Sequence, residues 1–134
     1  MFKIHTIDDG AMPPLENLKA NAATAYEVGM ILAVNASGEA VKGGADSTGA
    51  QTYLCAGVLP AGSAGKFVPA YRLKDTMVLE APFTVAATSV QLGQRLTLSA
   101  DGLGLTATVT NGVAEVVGIN GTAVGDTALV RLKQ

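Results

Sequence analysis

The sequence predicts an all-β protein, a small barrel or sandwich of two similar β-modules that follow an extended N-terminal arm. Short apolar segments are separated by turn residues every ~8–12 positions, which is typical of small barrels and sandwiches. Hydrophobic residues make up 49 % of the chain and charged residues 15 %, a balance that favours a packed core over disorder. A pattern of strands and glycines also recurs once along the chain.

The N-terminal arm is predicted to comprise residues 1–27. Residues 8–10 signal a turn, and Pro13 and Pro14 interrupt regular structure. The apolar spacing in residues 15–22 predicts one or two helical turns. Such a short segment is not stable alone, so we expect the arm to lie on its own barrel, a neighbouring subunit or a larger surface.

A single β-domain is predicted for residues 28–134, with repeat-like halves at 28–81 and 82–134. Residues 43–49 are predicted to form a polar loop. Asn-Gly pairs at 111–112 and 120–121 predict hairpin turns, because both residue types tolerate positive φ. Pro69 predicts an edge strand or a bulge. The predicted strands are 30–34, 39–42, 52–59, 66–73, 76–81, 90–98, 103–110, 113–119 and 127–132.

The internal repeat is clearest where residues 28–38 match residues 92–102. The offset is 64 throughout, and it aligns two glycines in each copy, which are predicted to begin a strand and to close a hairpin. The later parts of the halves correspond with small slips. The matched positions are Gly29 with Gly93, Leu32 with Leu96, Ala36 with Ala100, Gly38 with Gly102, Gly65 with Gly125, residues 56–58 with 117–119, and residues 72–74 with 131–133.

Residues able to support catalysis or metal binding are scarce. His5 is the sole histidine and Cys55 the sole cysteine, which excludes an internal disulfide and the usual zinc sites. The G-x-G-x-x-A spacing at residues 102–107 is interpreted as a turn, because a strand pattern and not a helix follows it. We therefore expect no enzyme activity, no cofactor, no metal and no small-molecule substrate.

Charge and hydropathy restrict the partners. The net charge is −2 and no Lys/Arg cluster is present, so no nucleic-acid partner is expected. The sequence has neither a signal-peptide pattern nor an apolar run of the ~20 residues that a membrane-spanning helix needs. We expect synthesis in a cytoplasm and no membrane partner.

Several segments resemble the small capsid decoration, or cement, proteins of tailed bacteriophages and prophages. The resemblance covers most of residues 12–132. It is carried by residues 25–32, 37–40, 65–72, 111–116, 121–122 and 125–127. It implies a structural protein without active site or cofactor that binds the outer surface of the assembled head at capsomer junctions and stabilises it. Its implied partners are the major capsid protein and its own copies in a homotrimer, and its implied location is the virion, after synthesis in the host bacterium.

Under this interpretation the arm is the part that we expect to clamp the capsid. An extended arm can add a strand to a neighbour's sheet edge, and apolar side chains can fill pockets beside it. The predicted capsid or subunit contacts are Phe2, Ile4, Ile7, Leu15 and Leu18.

Two alternatives remain open at this point. One is another assembly role, as the base of a head fibre or a tail-associated β-module. The other is a small β-barrel enzyme or ligand-binding module, which would need a deep pocket with convergent polar groups.

Overall fold

The structure, a computed structural model, describes residues 1–44 and 51–133, and this part of the chain contains ten strands and no helix. The predicted all-β class is confirmed. Most of the predicted loop at 43–49 lies outside the described residues. The strands are β1 (Lys3–Ile7), β2 (Leu15–Ala20), β3 (Ile31–Val34), β4 (Glu39–Lys42), β5 (Thr52–Cys55), β6 (Phe67–Arg72), β7 (Met77–Pro82), β8 (Arg95–Leu96), β9 (Ala114–Ile119) and β10 (Thr127–Leu132).

The strands form two sheets and two apolar clusters, one inside the barrel and a larger one that includes Ile31 and Leu54 of the barrel strands as well as residues of the second sheet. Strands β2-β4-β3-β5-β6 close into a barrel, whose interior is filled by buried side chains such as Tyr26, Leu32 and Val68. The second sheet has the order β1-β7-β10-β9-β8 and covers a larger cluster that includes Leu79 and Leu105. The core is mostly aliphatic, as the scarcity of aromatic residues requires.

The helical turns predicted for residues 15–22 are wrong, because this segment contains β2. It pairs with β6 from Leu15 opposite Tyr71 to Lys19 opposite Phe67. Its side chains alternate, with Leu18 and Ala20 on the barrel core. Pairing with a strand fifty residues later overrides the weak local helical spacing.

The edge position predicted from Pro69 is also wrong. Strand β6 lies between β2 and β5 and pairs with both. The carbonyl of Pro69 accepts a hydrogen bond from Ala56 N–H (2.9 Å), just past the end of β5. The nitrogen of Pro69 points to the same side as its carbonyl, beyond the last residue of β5. The absence of an N–H group there does not interrupt the β5–β6 ladder.

The glycines that the predicted repeat matches share a backbone conformation. The matched glycines have nearly equal φ angles: 85° at both Gly29 and Gly93, and 76° and 71° at Gly38 and Gly102. The later match also holds, with 84° at Gly65 and 89° at Gly125. Positive φ strains residues with a side chain, so glycine is favoured at each of these turns.

Strand pairing extends this equivalence. The pairs β3-β5, β5-β6 and β6-β2 have counterparts in β8-β9, β9-β10 and β10-β7. We call β2 to β6 the first unit and β7 to β10 the second unit. Both units begin earlier than the predicted halves at 28 and 82, because each includes the strand that precedes its matched segment. Strand β1 precedes the first unit but pairs with β7 of the second.

The match of the two Arg-Leu-Lys segments is out of step by one residue. Leu73 N–H donates to the carbonyl of Thr52 (3.0 Å), and the bond at the same place in the second unit runs from Lys133 N–H to Val113 (2.7 Å). Leu73 therefore corresponds to Lys133 and not to the second leucine. The structural alignment of the two segments is set by hydrogen bonds between strands and not by their shared Arg-Leu-Lys sequence.

The second unit departs from its predicted strands and turns. The predicted strand 103–110 makes only single bridges through Leu105 among the described residues. Asn111 has a φ of 51°, but neither Gly112 nor the 120–121 pair has a positive φ, so the predicted two-residue hairpins are wrong. A Cβ at Gly112 would collide with the Arg95 carbonyl. Glycine is needed there for close backbone approach.

Candidate contact surface

The predicted contact residue Phe2 lies in the core of its own chain. Its side chain is only 1 % exposed, and its N–H donates to the carbonyl of Gly29 (2.8 Å). The side chain belongs to the larger apolar cluster. Phe2 therefore fills a pocket in its own protein, and the hypothesis that it fills one in a partner is corrected.

The other four predicted contacts divide by position. Ile4 and Ile7 on β1 are partly buried against the larger cluster, and Leu18 on β2 is partly buried against the barrel cluster. Leu15 is 52 % exposed. The N-terminal segment does add a strand to a sheet edge, but the edge is β7 of the same chain. Of the five residues, Leu15 alone keeps most of its side chain on the surface.

Leu15 belongs to an outward-facing stripe on the barrel, where alternate residues of β2 and β6 lie side by side. Asn17 pairs with Pro69, and Lys19 pairs with Phe67. Phe67 is 62 % exposed. We call this stripe the β2–β6 surface and define it by Leu15, Asn17, Lys19, Phe67 and Pro69.

The signal for this surface was present in the sequence, in the alternation of residues 66–73. It was missed because an alternating strand has two faces, and which of them is solvated depends on the barrel. Close packing fixes Pro69 in place, because a Cβ on Gly57 would approach its ring carbons to 2.7 Å.

A shallow concavity borders the start of β2. Arg72 bridges it by a hydrogen-bonded ion pair with Glu16, with Nε 3.1 Å from Oε2. This bond is the main reason that the pKa of Arg72 is raised, and the phenolic group of Tyr53 contributes. Arg72 also lies over that ring, with Cζ 5.8 Å from its centroid. The residues lining the concavity are Ala11, Met12, Pro13, Pro14, Glu16, Arg72 and Lys74.

Two further ion pairs hold the segment between β1 and β2. Lys74 Nζ is 2.9 Å from Asp9 Oδ2, and its hydrogen bond is the main cause of the lowered pKa of Asp9. Arg131 Nη2 is 2.6 Å from Asp8 Oδ2. These pairs are exposed and each contributes little to stability. Together they fix the path of the chain that leads into the concavity.

The backbone edge at the start of β2, on the side opposite β6, is not covered by any strand of the described residues. Strand β4 pairs with β2 only at Lys19 and Ala20. Among residues 1–44 and 51–133, no strand pairs with residues 15–17 on that side. The surface and the edge meet at Leu15, so apolar side chains and unpaired backbone groups lie within one region.

The reactive side chain types have structural roles. Cys55 is buried and its thiol contacts the Gly57 carbonyl (3.2 Å), and burial raises the pKa of this thiol. The buried Ser63 donates its hydroxyl hydrogen to the Pro60 carbonyl (2.7 Å). His5 lies on β1 and is exposed. In the described part of the chain, no three His, Cys, Asp or Glu side chains come together as a metal site would require.

A membrane-crossing helix is absent from the described residues. Comparison of the chain with models of known protein families and with curated proteins found no match.

Proposed function

We propose that this chain is a structural, non-enzymatic protein that decorates the outside of an assembled phage head. It binds at capsomer junctions, contacts the major capsid protein and stabilises the shell. The sequence resemblance motivates this assignment, and the β2–β6 surface is the observation that carries it. The proposed location is the outer surface of the virion, after synthesis in the bacterial cytoplasm.

The β2–β6 surface supports a contact with another protein. Phe67 and Leu15 are 62 % and 52 % exposed, and they lie on a rigid barrel wall. Exposed apolar patches on soluble proteins commonly mark interaction sites, and aromatic side chains are enriched in interface cores. Asn17 and Lys19 of the same stripe add polar groups beside these apolar side chains.

Weak single contacts are sufficient for this role. An icosahedral head repeats its surface many times, and a homotrimer of this chain would engage several sites at once. Each additional site then binds as an intramolecular event, so moderate contacts at Phe67 and Leu15 add up. The homotrimer is part of the proposal and is measured by native mass spectrometry of the purified protein.

The first test is mass spectrometry of gradient-purified particles from the source strain, with the chain quantified against the major capsid protein. Stoichiometric amounts on heads support decoration. Absence from heads overturns it, and a few copies per particle favour the base of a head fibre or a tail-associated module.

The second test uses matched surface variants in a head-binding assay. Phe67→Ser removes the largest exposed side chain of the proposed surface. Val124→Ser is the control, because Val124 is 66 % exposed but lies in the second unit. We expect Phe67→Ser to weaken binding by tenfold or more, the order expected for an interface anchor, and Val124→Ser to bind like the parent. Equal binding of the two variants would place the contact elsewhere.

A further inference from the structure

The duplicated units use one sheet edge differently. In the second unit, β1 covers the start of β7, with Lys3 opposite Glu80 and Ile7 opposite Met77 in antiparallel register. In a further backbone hydrogen bond, Asp8 N–H donates to the Thr76 carbonyl (2.8 Å). This edge is therefore covered along its length by a strand from outside the unit.

The start of β2 is the matching edge in the first unit. Ala20 N–H donates to the Lys66 carbonyl (2.9 Å), and Phe83 N–H donates to the Asp126 carbonyl (2.8 Å). Ala20 also makes a parallel pair with β4, as Phe83 makes a parallel bridge to Leu105. Ala20 and Phe83 therefore occupy equivalent positions in the two units. Counting back three residues from each makes Asn17 equivalent to Glu80.

Within the part of the chain that the structure describes, the position of β4 explains why no strand covers the edge at residues 15–17. Strand β4 begins at Glu39, directly after a turn, and its parallel pairing with β2 starts at Lys19. The first half of β2 thus projects beyond the turn. The N–H group of Ala20 donates to β6, and the N–H groups of successive residues in a strand point to opposite sides. The amides of Leu15 and Asn17 therefore point to the uncovered side.

We propose that this edge receives an extended segment of the shell protein as an antiparallel strand, in the way that β7 receives β1. The proposal rests on the function proposed above and names the contact that it uses. The segment carries apolar side chains on one face, as Lys3–Ile7 does with Ile4 and Ile7 across its register shift.

The shell protein is a better occupant than the arm of a second copy. Strand β1 of each chain is already paired with its own β7, and Phe2 beside it is buried. The uncovered edge is short and offers few backbone hydrogen bonds, so a single contact is weak. Repetition over a shell compensates for that weakness, whereas one pair of free chains has no such gain.

The test compares two proline variants at matching positions. Asn17→Pro removes an amide that faces the uncovered edge and leaves the β2–β6 ladder intact, because Asn17 lies opposite Pro69 in a pair without ladder bonds. We expect this variant to fold like the parent and its affinity for purified heads to fall by about tenfold or more. Glu80→Pro, the matched control, removes an amide that faces β1. We expect a lower denaturation midpoint for this variant.

Amide hydrogen exchange provides a second measurement that needs no variant. On binding heads, the amides of Leu15 and Asn17 should become protected, while those of the exposed loop around Val124 should not change. If the parent and Asn17→Pro bind heads with equal affinity, the inference is overturned and the decoration function stands. The same conclusion follows if the parent binds heads and the amides of Leu15 and Asn17 do not become protected. Failure of the parent to bind heads overturns both. Loss of self-association in Asn17→Pro without heads would assign the edge to a second copy and also overturn the inference.

Discussion

Gly29 and Gly93 occupy the same turn in the two units and share a φ of 85°, but only Gly29 is covered by the N-terminus. A Cβ at Gly29 would lie 2.7 Å from Met1 Cβ and 2.9 Å from the Phe2 carbonyl oxygen. A Cβ at Gly93 would meet nothing within 4 Å. The two positions therefore separate the cost of backbone strain from the cost of displacing the N-terminal strand.

We expect Gly93→Ala to lower the free energy of unfolding by about 1–2 kcal/mol, the cost of a left-handed backbone for a residue with a side chain. Gly29→Ala should lower it further, because the same strain is accompanied by a clash with Met1 and Phe2. Urea denaturation of both variants measures the difference. Equal losses would show that the N-terminal strand does not depend on contact with Gly29.

Tyr26 is the polar centre of the barrel core. Its hydroxyl donates to the Ala40 carbonyl (2.6 Å) and accepts from Asn21 N–H (2.7 Å). Tyr26→Phe leaves both backbone groups without this partner, so we expect a loss of about 1–3 kcal/mol in unfolding free energy. Tyr71→Phe is the control, because Tyr71 is only partly buried, whereas Tyr26 is 1 % exposed. A similar stability for the two variants would contradict the proposed role of the Tyr26 hydroxyl.

The carboxylate of Asp101 organises the turn of the second unit. Its Oδ1 accepts from the Ser99 hydroxyl (2.6 Å) and from Leu103 N–H (3.0 Å). The Ser99 bond is the main cause that lowers the pKa of Asp101 below its ordinary value of 3.8. A lowered pKa in the folded state means that the carboxylate stabilises the fold above pH 3.8, and that this stabilisation is lost as the pH falls through the lowered value.

Asp101→Asn should therefore destabilise the protein near neutral pH. The difference in unfolding free energy between the variant and the parent should become smaller below pH 3.8. Unfolding free energies measured across this range give the comparison. Asp75→Asn, at an exposed position, controls for the change in net charge. A gap that stays constant through acid pH would exclude a role for the charge of Asp101.

The thiol of Cys55 reports on opening of the barrel. It is 1 % exposed, and burial raises its pKa, so both access and thiolate formation are suppressed. We expect a soluble disulfide reagent to label the native protein far more slowly than the urea-unfolded protein. The labelling rate should increase in Tyr26→Phe, because that variant opens more often. Fast labelling of the native parent would contradict the burial of this thiol.

The sequence predicted the repeated turns well because a glycine with positive φ is a local requirement. Gly29, Gly38 and their counterparts carry that signal without help from distant residues. The contacts of the N-terminal residues were not predictable in this way. The sequence shows that Phe2 is apolar and must be covered, but the covering residues come from distant parts of the chain.

The same limit explains the error at β2 and the incomplete prediction of the contact surface. Leu15 and Leu18 have a spacing that fits a helical turn, and only the pairing with β6 makes them alternate. The exposure of Phe67 likewise depends on closure of the barrel, which places the other face of β6 inside. Local pattern gives the alternation, and tertiary structure decides which side meets solvent.

The pairing of β1 with β7 also has a consequence for synthesis on the ribosome. All barrel strands lie between Leu15 and Arg72, so the barrel can close before the second unit has been translated. Strand β1 precedes the barrel strands in the chain, but its partner β7 follows all of them, and β10 on the other side of β7 follows β7. On the ribosome, Lys3–Ile7 is therefore without its partner strand β7 until the whole barrel segment has been translated.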